Sequence, residues 1–155
     1  MKKMKLFAIV FAFMAVISGL QAAEKWLPGP TKDWYIRLED AKQAASQSNK
    51  YIYVLRTGSD WCGFCVRLNK DVFSSSAFKK FAKKNLILVY LDSPRRKPMP
   101  AEQKAYNSRI AAELNFGGGV PSAVILDSKG NIVDRIRGYA PCSKYMKMLK
   151  KAIRK

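Results

Sequence analysis

Two cysteines three residues apart, Cys62 and Cys65, are the side chains of this sequence best suited to chemistry. They stand where a strand-like run gives way to helical periodicity. At a helix start, residues i and i+3 lie near one face, so the two sulfurs can close a disulfide. The free N–H groups and the dipole of the first turn lower the pKa of a thiol and favour the thiolate, which attacks disulfides. The spacing therefore predicts redox chemistry, with Cys62 attacking and Cys65 resolving.

Other uses of a Cys-x-x-Cys pair fit this sequence less well. A zinc site needs further ligands, and the chain has no histidine and no second such pair. Copper would recruit methionine, but none clusters near Cys62. A static disulfide stays open for an exported chain, although a loop this short adds little stability. We predict no metal and no bound cofactor beyond the disulfide itself.

The segments around the pair alternate between strand and helix patterns. Alternating or continuous apolar runs predict strands at 51–57, 86–91, 122–126 and 132–137. Helical spacing of apolar residues predicts helices at 39–48, from the cysteine pair to about 72, 77–84, 101–114 and 143–154. This order predicts an α/β domain whose mixed sheet has helices on both faces and ends in a hairpin and a closing helix.

The sequence WCGFC at 61–65, after a buried strand, resembles the active-site motif of thioredoxins. The Val-Pro-Ser stretch at 120–122 and the turn at 127–130 are similar to the cis-proline loop and hairpin of that family. The resemblance covers about residue 33 to the C-terminus. The stretch 57–65, taken with 72–73, is similar to a bacterial subgroup of exported thioredoxin-like proteins.

The resemblance implies roles for particular residues. Cys62 matches the nucleophile and Cys65 the resolving thiol. Pro121 matches the cis-proline that faces the pair, and it would turn the Val120 backbone outward to pair with a substrate strand. Trp61 would line the substrate surface. An ordinary loop proline and a core tryptophan are the alternatives.

Two charged residues near the motif depart from the family pattern. Thioredoxins commonly carry a buried carboxylate where this chain has Arg56. A cation there would favour the Cys62 thiolate, or it would point to solvent or pair with an acid. Asp60 precedes the helix and is expected to cap it, with some proton handling as the alternative.

The dipeptide between the cysteines, Gly63 and Phe64, lacks the histidine that oxidants and isomerases of the family tend to carry. A histidine there stabilises the reduced form and makes the disulfide oxidising. The resemblance therefore implies a reductase of protein disulfides. A disulfide oxidase or isomerase is one alternative, and a non-catalytic module that binds through its basic surface is another.

Residues 1–23 have the layout of a secretory signal peptide. Three lysines precede the uncharged run 6–17, and Ala22 and Ala23 are the candidate cleavage positions. The run is short for an uncleaved membrane anchor, which is the alternative. We expect a domain at 24–155 in the periplasm or secreted, supplied with electrons by a membrane thiol donor.

The net charge is +18, and removal of the three leading lysines would leave +15. Export argues against nucleic acid as the partner, so anionic membrane, acidic substrates or simple solubility stay open. The basic loop Arg95–Lys97 is expected to be solvated. Cys142 leaves an odd cysteine count, which indicates a partly buried inert thiol or a disulfide-linked dimer.

Overall fold

A computed structural model of the protein describes residues 25–154. The strands are β1 (Trp34–Tyr35), β2 (Tyr51–Thr57), β3 (Leu86–Asp92), β4 (Ser122–Leu126) and β5 (Ile132–Arg137). The helices are α1 (Leu38–Ser48), α2 (Gly63–Leu68), α3 (Ser76–Asn85), α4 (Ala101–Glu113) and α5 (Cys142–Ala152). The strands form one mixed sheet in the order β1-β3-β2-β4-β5. The predicted α/β architecture, with its C-terminal hairpin and closing helix, is confirmed.

Strand β2 lies at the centre of the sheet, parallel to β3 and antiparallel to β4. Its side chains alternate between two apolar clusters, as the period of a strand requires. Tyr53 and Leu55 pack with residues of α2, α3 and α5, whereas Ile52 and Val54 pack with residues of α1 and α4. Burial on both faces explains why β2 reads as a nearly continuous apolar run.

The ends of β2 and β3 place the cysteine motif. Because these strands are parallel, Thr57 and Asp92 meet at the same edge of the sheet, as partners in the register. The chain leaves β2 through Gly58, turns, and enters α2 at this edge. The start of β4 reaches the same edge, since Ser122 pairs with Arg56.

Two features differ from the sequence prediction. Strand β1 was not predicted, because two residues show no periodicity. It pairs with β3 and is an outermost strand of the sheet. The helix after the motif continues as a π-helical turn, Asn69–Phe73, before a bend leads into α3.

None of the helices in residues 25–154 combines the length and apolar character needed to cross a bilayer. The predicted signal peptide lies outside the described residues.

Candidate active site

Cys62 and Cys65 form a disulfide at the amino end of α2, with their Cα atoms 5.2 Å apart. Cys62 has an extended backbone and is the N-cap of the helix, and its Sγ accepts a hydrogen bond of 3.2 Å from the Cys65 backbone N–H. Cys62 is 8% exposed and Cys65 is 4% exposed. The Cys62 sulfur thus accepts an amide of the first turn, which also donates to the Cys62 carbonyl at 2.9 Å, and this contact favours a negative charge on the sulfur.

The loop before the motif is anchored by Asp92, a residue that the sequence analysis did not single out. The Asp92 carboxylate is buried and accepts hydrogen bonds from the Ser59 backbone N–H at 2.9 Å and the Ser59 hydroxyl at 2.6 Å. The Cys62 N–H then closes the turn by donating to the Gly58 carbonyl at 3.0 Å. An acid directly after the apolar run of β3 is the signal that could have found it.

The loop before β4 faces the disulfide. The Val120–Pro121 peptide bond is cis, and the Val120 carbonyl oxygen lies 3.7 Å from Cys62 Sγ. The Pro121 carbonyl accepts a hydrogen bond of 2.8 Å from Gly138, at the end of β5. The hairpin therefore holds this loop beside the sulfur, and Val120 is partly exposed there.

Trp61 lies beside the pair on the surface. Its Nε1–H donates to the Ser93 carbonyl at 2.7 Å, and the Arg95 guanidinium lies 3.8 Å from the centre of its ring. A methyl group at Gly58 would lie 2.4 Å from the indole, so glycine is needed for this close approach. The structure therefore places Trp61 in a surface groove with Phe64, while its role toward substrate stays a prediction.

The expectation that Asp60 caps the helix is wrong, since Cys62 holds that position. The Asp60 carboxylate instead accepts three backbone N–H groups, from Arg95, Arg96 and Lys97, at 2.8–3.0 Å. These hydrogen bonds to the charged form lower the pKa of Asp60. The basic loop is consequently tied to the motif by its main chain, whereas its side chains are exposed.

Arg56 has a different partner from those the sequence suggested. Its Nη1 donates to the Gly117 carbonyl at 3.0 Å, in the loop that leads to Pro121. It borders a cavity of about 320 Å³ that α4 also lines. A backbone carbonyl thus takes the place of the solvent or the acid, and an effect of the Arg56 charge on Cys62 stays a prediction.

Cys142 is a free thiol at the first residue of α5. It is partly buried against the cluster formed by α2, α3 and α5, and its Sγ–H donates to the Ser75 hydroxyl at 3.4 Å. A dimer linked through Cys142 stays a prediction, to be read on a non-reducing gel. Among residues 25–154, no cluster of three or more histidine, cysteine or acidic side chains could hold a metal ion.

Comparison with known proteins places this fold and motif in a family. The thioredoxin-like domain matches residues 38–153, which is most of the chain. The chain therefore belongs to the thioredoxin-like family, as the motif and the cis-proline loop indicated.

Two proteins of known name are similar to this chain in sequence. The disulfide bond reductase DsbH of Chlamydia pneumoniae is 33% identical over 102 residues, which cover 66% of this chain and 60% of that protein. The thioredoxin-related protein DsbJ of the same organism is 21% identical over 139 residues, which cover 90% of this chain and 39% of that protein. The chain thus spans less than two thirds of the length of either relative.

Solved structures agree with the sequence comparisons. The structure of the DsbH oxidoreductase superposes with a TM-score of 0.70 at 28% identity, covering 86% of this chain and 96% of that one. A thioredoxin from Thermus thermophilus superposes with a TM-score of 0.58 at 20% identity, covering 77% and 85%, and supports the fold. This chain is thus a thioredoxin-like protein related to DsbH, with its Cys-x-x-Cys disulfide formed.

Proposed function

We propose that this protein is an exported thiol–disulfide oxidoreductase that reduces disulfide bonds of other proteins. The observation that carries the proposal is the position of Cys62 Sγ, which caps α2, accepts the Cys65 amide and faces Val120. The relation to a disulfide bond reductase supports the direction of electron flow. Phe64 between the cysteines supports it too, because a histidine there would favour oxidation.

The first step begins from the dithiol. The Cys62 thiolate attacks one sulfur of the substrate disulfide, forms a mixed disulfide, and releases the other substrate sulfur as a thiolate. The Cys65 amide, which donates to the Cys62 sulfur at 3.2 Å in the disulfide form, would stabilise the negative charge of the thiolate before the attack. In the reduced protein, the Val120 carbonyl can accept a hydrogen bond from the Cys62 thiol.

The second step releases the product. Cys65 loses its proton and attacks Cys62 Sγ, which restores the Cys62–Cys65 disulfide and frees the second substrate sulfur as a thiolate. Each released thiolate takes up a proton. Two electrons pass from the protein dithiol to the substrate disulfide, so the substrate is reduced and the protein is oxidised. The spacing of one helical turn makes this step intramolecular and fast.

Substrate binding would use the backbone at Val120. An extended segment of the substrate can pair with the partly exposed main chain there, which brings its disulfide over Cys62. Trp61 and Phe64 lie in the groove next to the cysteine pair and would contact residues beside the substrate cysteine.

The predicted signal peptide puts this reaction in the periplasm or outside the cell. Cytosolic reductants do not reach that compartment, so a membrane thiol donor would return electrons to the Cys62–Cys65 disulfide. We expect a reduction potential closer to about −270 mV, as in thioredoxin, than to about −120 mV, as in a strong oxidant. A potential at the oxidising end would contradict the reductase and favour an oxidase or isomerase.

Trapping of the mixed disulfide tests the activity directly. In a Cys65→Ser variant, Cys62 still attacks but the bond to substrate is not resolved, so a covalent adduct accumulates. The adduct is detected on non-reducing gels and its site by mass spectrometry. Cys142→Ser is introduced as well, so that Cys62 is the remaining thiol.

The matched control is a variant with Cys62→Ser in the same background, which leaves Cys65 alone. We expect no adduct from it, because Cys65 is the more buried sulfur. Failure to trap any disulfide-containing protein through Cys62 would contradict the oxidoreductase and favour a module that binds without catalysis.

A further inference from the structure

An open groove of about 640 Å³ lies directly beside the cysteine pair. We call it the Trp61 groove. It is lined by Asp60, Trp61, Gly63, Phe64, Val66, Arg67 and Arg96. It runs along the exposed face of α2 between the Arg95–Lys97 loop and the side of the helix that carries Arg67. The chemistry of these lining residues indicates what the proposed enzyme would recognise.

The floor of the groove is apolar and exposed. Phe64 is 59% exposed and Val66 is 50% exposed, which is unusual for large apolar side chains within the described residues. The Phe64 ring stacks on Tyr139, with 6.1 Å between the ring centres, and this contact favours one orientation of the ring. An apolar side chain of a partner would bury this floor at little cost in ordering it.

Three arginines line the groove or border it, and two of them lie over aromatic rings. The Arg95 guanidinium stacks over Trp61 at 3.8 Å, and that of Arg67 lies 4.7 Å from the ring centre of Tyr139. Arg96 lines the groove and is exposed. Within residues 25–154, both ion pairs belong to Arg109, so these three arginines keep their charge available for a partner.

Two acids, Asp60 in the lining and Asp71 nearby, accept hydrogen bonds from the scaffold. The Asp60 carboxylate faces the three backbone N–H groups of the basic loop. Asp71 accepts a hydrogen bond of 2.6 Å from the Tyr139 hydroxyl. These contacts fix the scaffold of the groove, and the lining keeps two guanidinium groups, of Arg67 and Arg96, against the one carboxylate of Asp60. The groove thus joins an apolar floor to a positive rim, one residue away from the attacking sulfur.

We propose that the Trp61 groove binds an acidic segment of the protein substrate that carries an apolar side chain beside its disulfide cysteine. This inference rests on the proposed function. Charge complementarity selects the segment and speeds encounter, while the apolar floor holds the side chain. We favour a peptide over an anionic membrane because residues on both sides of Cys62, Trp61 and Gly63, line the groove, where a substrate segment must lie for its disulfide to reach the sulfur.

Three peptides of one design test the proposal. Each has one internal disulfide and a leucine next to a cysteine, and the flanking positions are glutamate, glutamine or lysine. The reduced protein is mixed with each peptide and initial rates are measured at low salt. We expect the acidic peptide to react about five- to tenfold faster than the basic one, as rim charges mainly change the association rate. The difference should shrink at high salt.

Charge-reversed variants locate the preference. Arg67→Glu with Arg96→Glu should bring the ratio of acidic to basic rates to about one or below, whereas backbone hydrogen bonds to Asp60 are kept. The matched control is Lys129→Glu, an exposed cation in the turn after β4, which runs away from the site. It changes the net charge without touching the groove.

The outcomes separate the two proposals. If no peptide is reduced, the proposed function fails. If all three are reduced at equal rates, the function stands and the charge preference is refuted. If Lys129→Glu lowers the ratio as much as Arg67→Glu or Arg96→Glu made alone, net charge is responsible and the groove is not. Equal peptide rates with binding to anionic phosphatidylglycerol vesicles that Arg67→Glu and Arg96→Glu abolish would assign the groove to lipid instead.

Discussion

Two cysteines of this protein stand at the start of a helix, and their surroundings differ. Cys62 caps α2, its sulfur accepts a backbone amide, and it faces the cis-proline loop beside an open groove. Cys142 begins α5, donates to the Ser75 hydroxyl, and packs against an apolar cluster. A helix start is common to both, so it does not by itself make a redox site.

The difference lies in what each sulfur meets. Cys62 has a second sulfur one turn along the helix and a backbone amide that favours its charge. The Cys142 thiol donates to the Ser75 hydroxyl and contacts apolar side chains, so Cys142 contributes to the packing between α3 and α5. Changes around Cys62 should therefore affect the reaction, and changes around Cys142 should affect the free energy of unfolding.

The largest expected effect comes from removing the sulfurs themselves. Cys62→Ser should lower the rate of disulfide reduction by on the order of 10³-fold or more, because the attacking atom is lost. Cys142→Ser should keep the rate within about twofold, and it serves as the matched control. The measurement is the initial rate with a protein disulfide substrate. A comparable loss in both variants would break the distinction between the two cysteines.

A smaller effect is expected from Tyr145, which lies in α5 after Cys142. Its hydroxyl hydrogen-bonds that of Tyr53 in β2 at 2.5 Å, and both side chains are fully buried. Tyr145→Phe should lower the free energy of unfolding by about 1–3 kcal/mol, because the Tyr53 hydroxyl loses its partner. Urea unfolding measures this, and the rate of reduction should not change.

The control for this pair is the double variant, Tyr53→Phe with Tyr145→Phe. It leaves no buried hydroxyl unpaired, so we expect it to recover part of the loss. A double variant less stable than either single variant would contradict the account.

The same pair predicts how stability responds to alkaline pH. Burial is the main cause that raises the pKa of both Tyr53 and Tyr145 above the usual value of 10.0. Because the pKa of each hydroxyl is raised in the folded state, the stability that the protonated hydroxyls contribute is complete below pH 10. It is lost as the pH rises through the folded-state pKa. The double variant should lose less stability between pH 9 and 11 than the wild type does.

The smallest effect is expected at Ser75, the acceptor of the Cys142 thiol. Its hydroxyl also caps α3 by accepting the Phe78 backbone N–H at 3.1 Å. Ser75→Ala should cost about 1 kcal/mol in the free energy of unfolding, whereas the exposed neighbour Ser76→Ala should cost almost nothing. Thermal unfolding compares the two variants. A slower reduction rate in Ser75→Ala would show that the two cysteine regions are coupled.

Local pattern carried much of the prediction. The apolar runs of β2 and β3 and the helical spacing of α1, α4 and α5 gave these elements within one or two residues. The spacing of Cys62 and Cys65 gave the disulfide, because a contact across one helical turn is local. Strand β1 was not predicted, since two residues are too few to show a periodic pattern and become a strand only by pairing with β3.

Residues at the site whose partners lie far along the chain were misread or missed. Asp60 looks like a helix cap in sequence, but its partners are amides 35 to 37 residues later. Asp92 and Arg56 likewise bind the loops before α2 and β4, at separations of 33 and 61 residues. A side chain's choice among several partners depends on which loops the fold brings together.

The sequence by itself determined the Cys62–Cys65 disulfide and the order of strands and helices, because each rests on spacing over a few residues, and the motif together with the Val-Pro-Ser stretch indicated the family. Only the tertiary structure decided that Arg95 stacks on Trp61, that Arg56 binds the Gly117 carbonyl, and that a groove opens beside the motif. Because β2 and β3 are parallel and β4 is antiparallel to β2, the carboxyl ends of β2 and β3 and the start of β4 lie at one end of the sheet, which brings these loops together. Such contacts depend on three-dimensional closure, which no local pattern encodes.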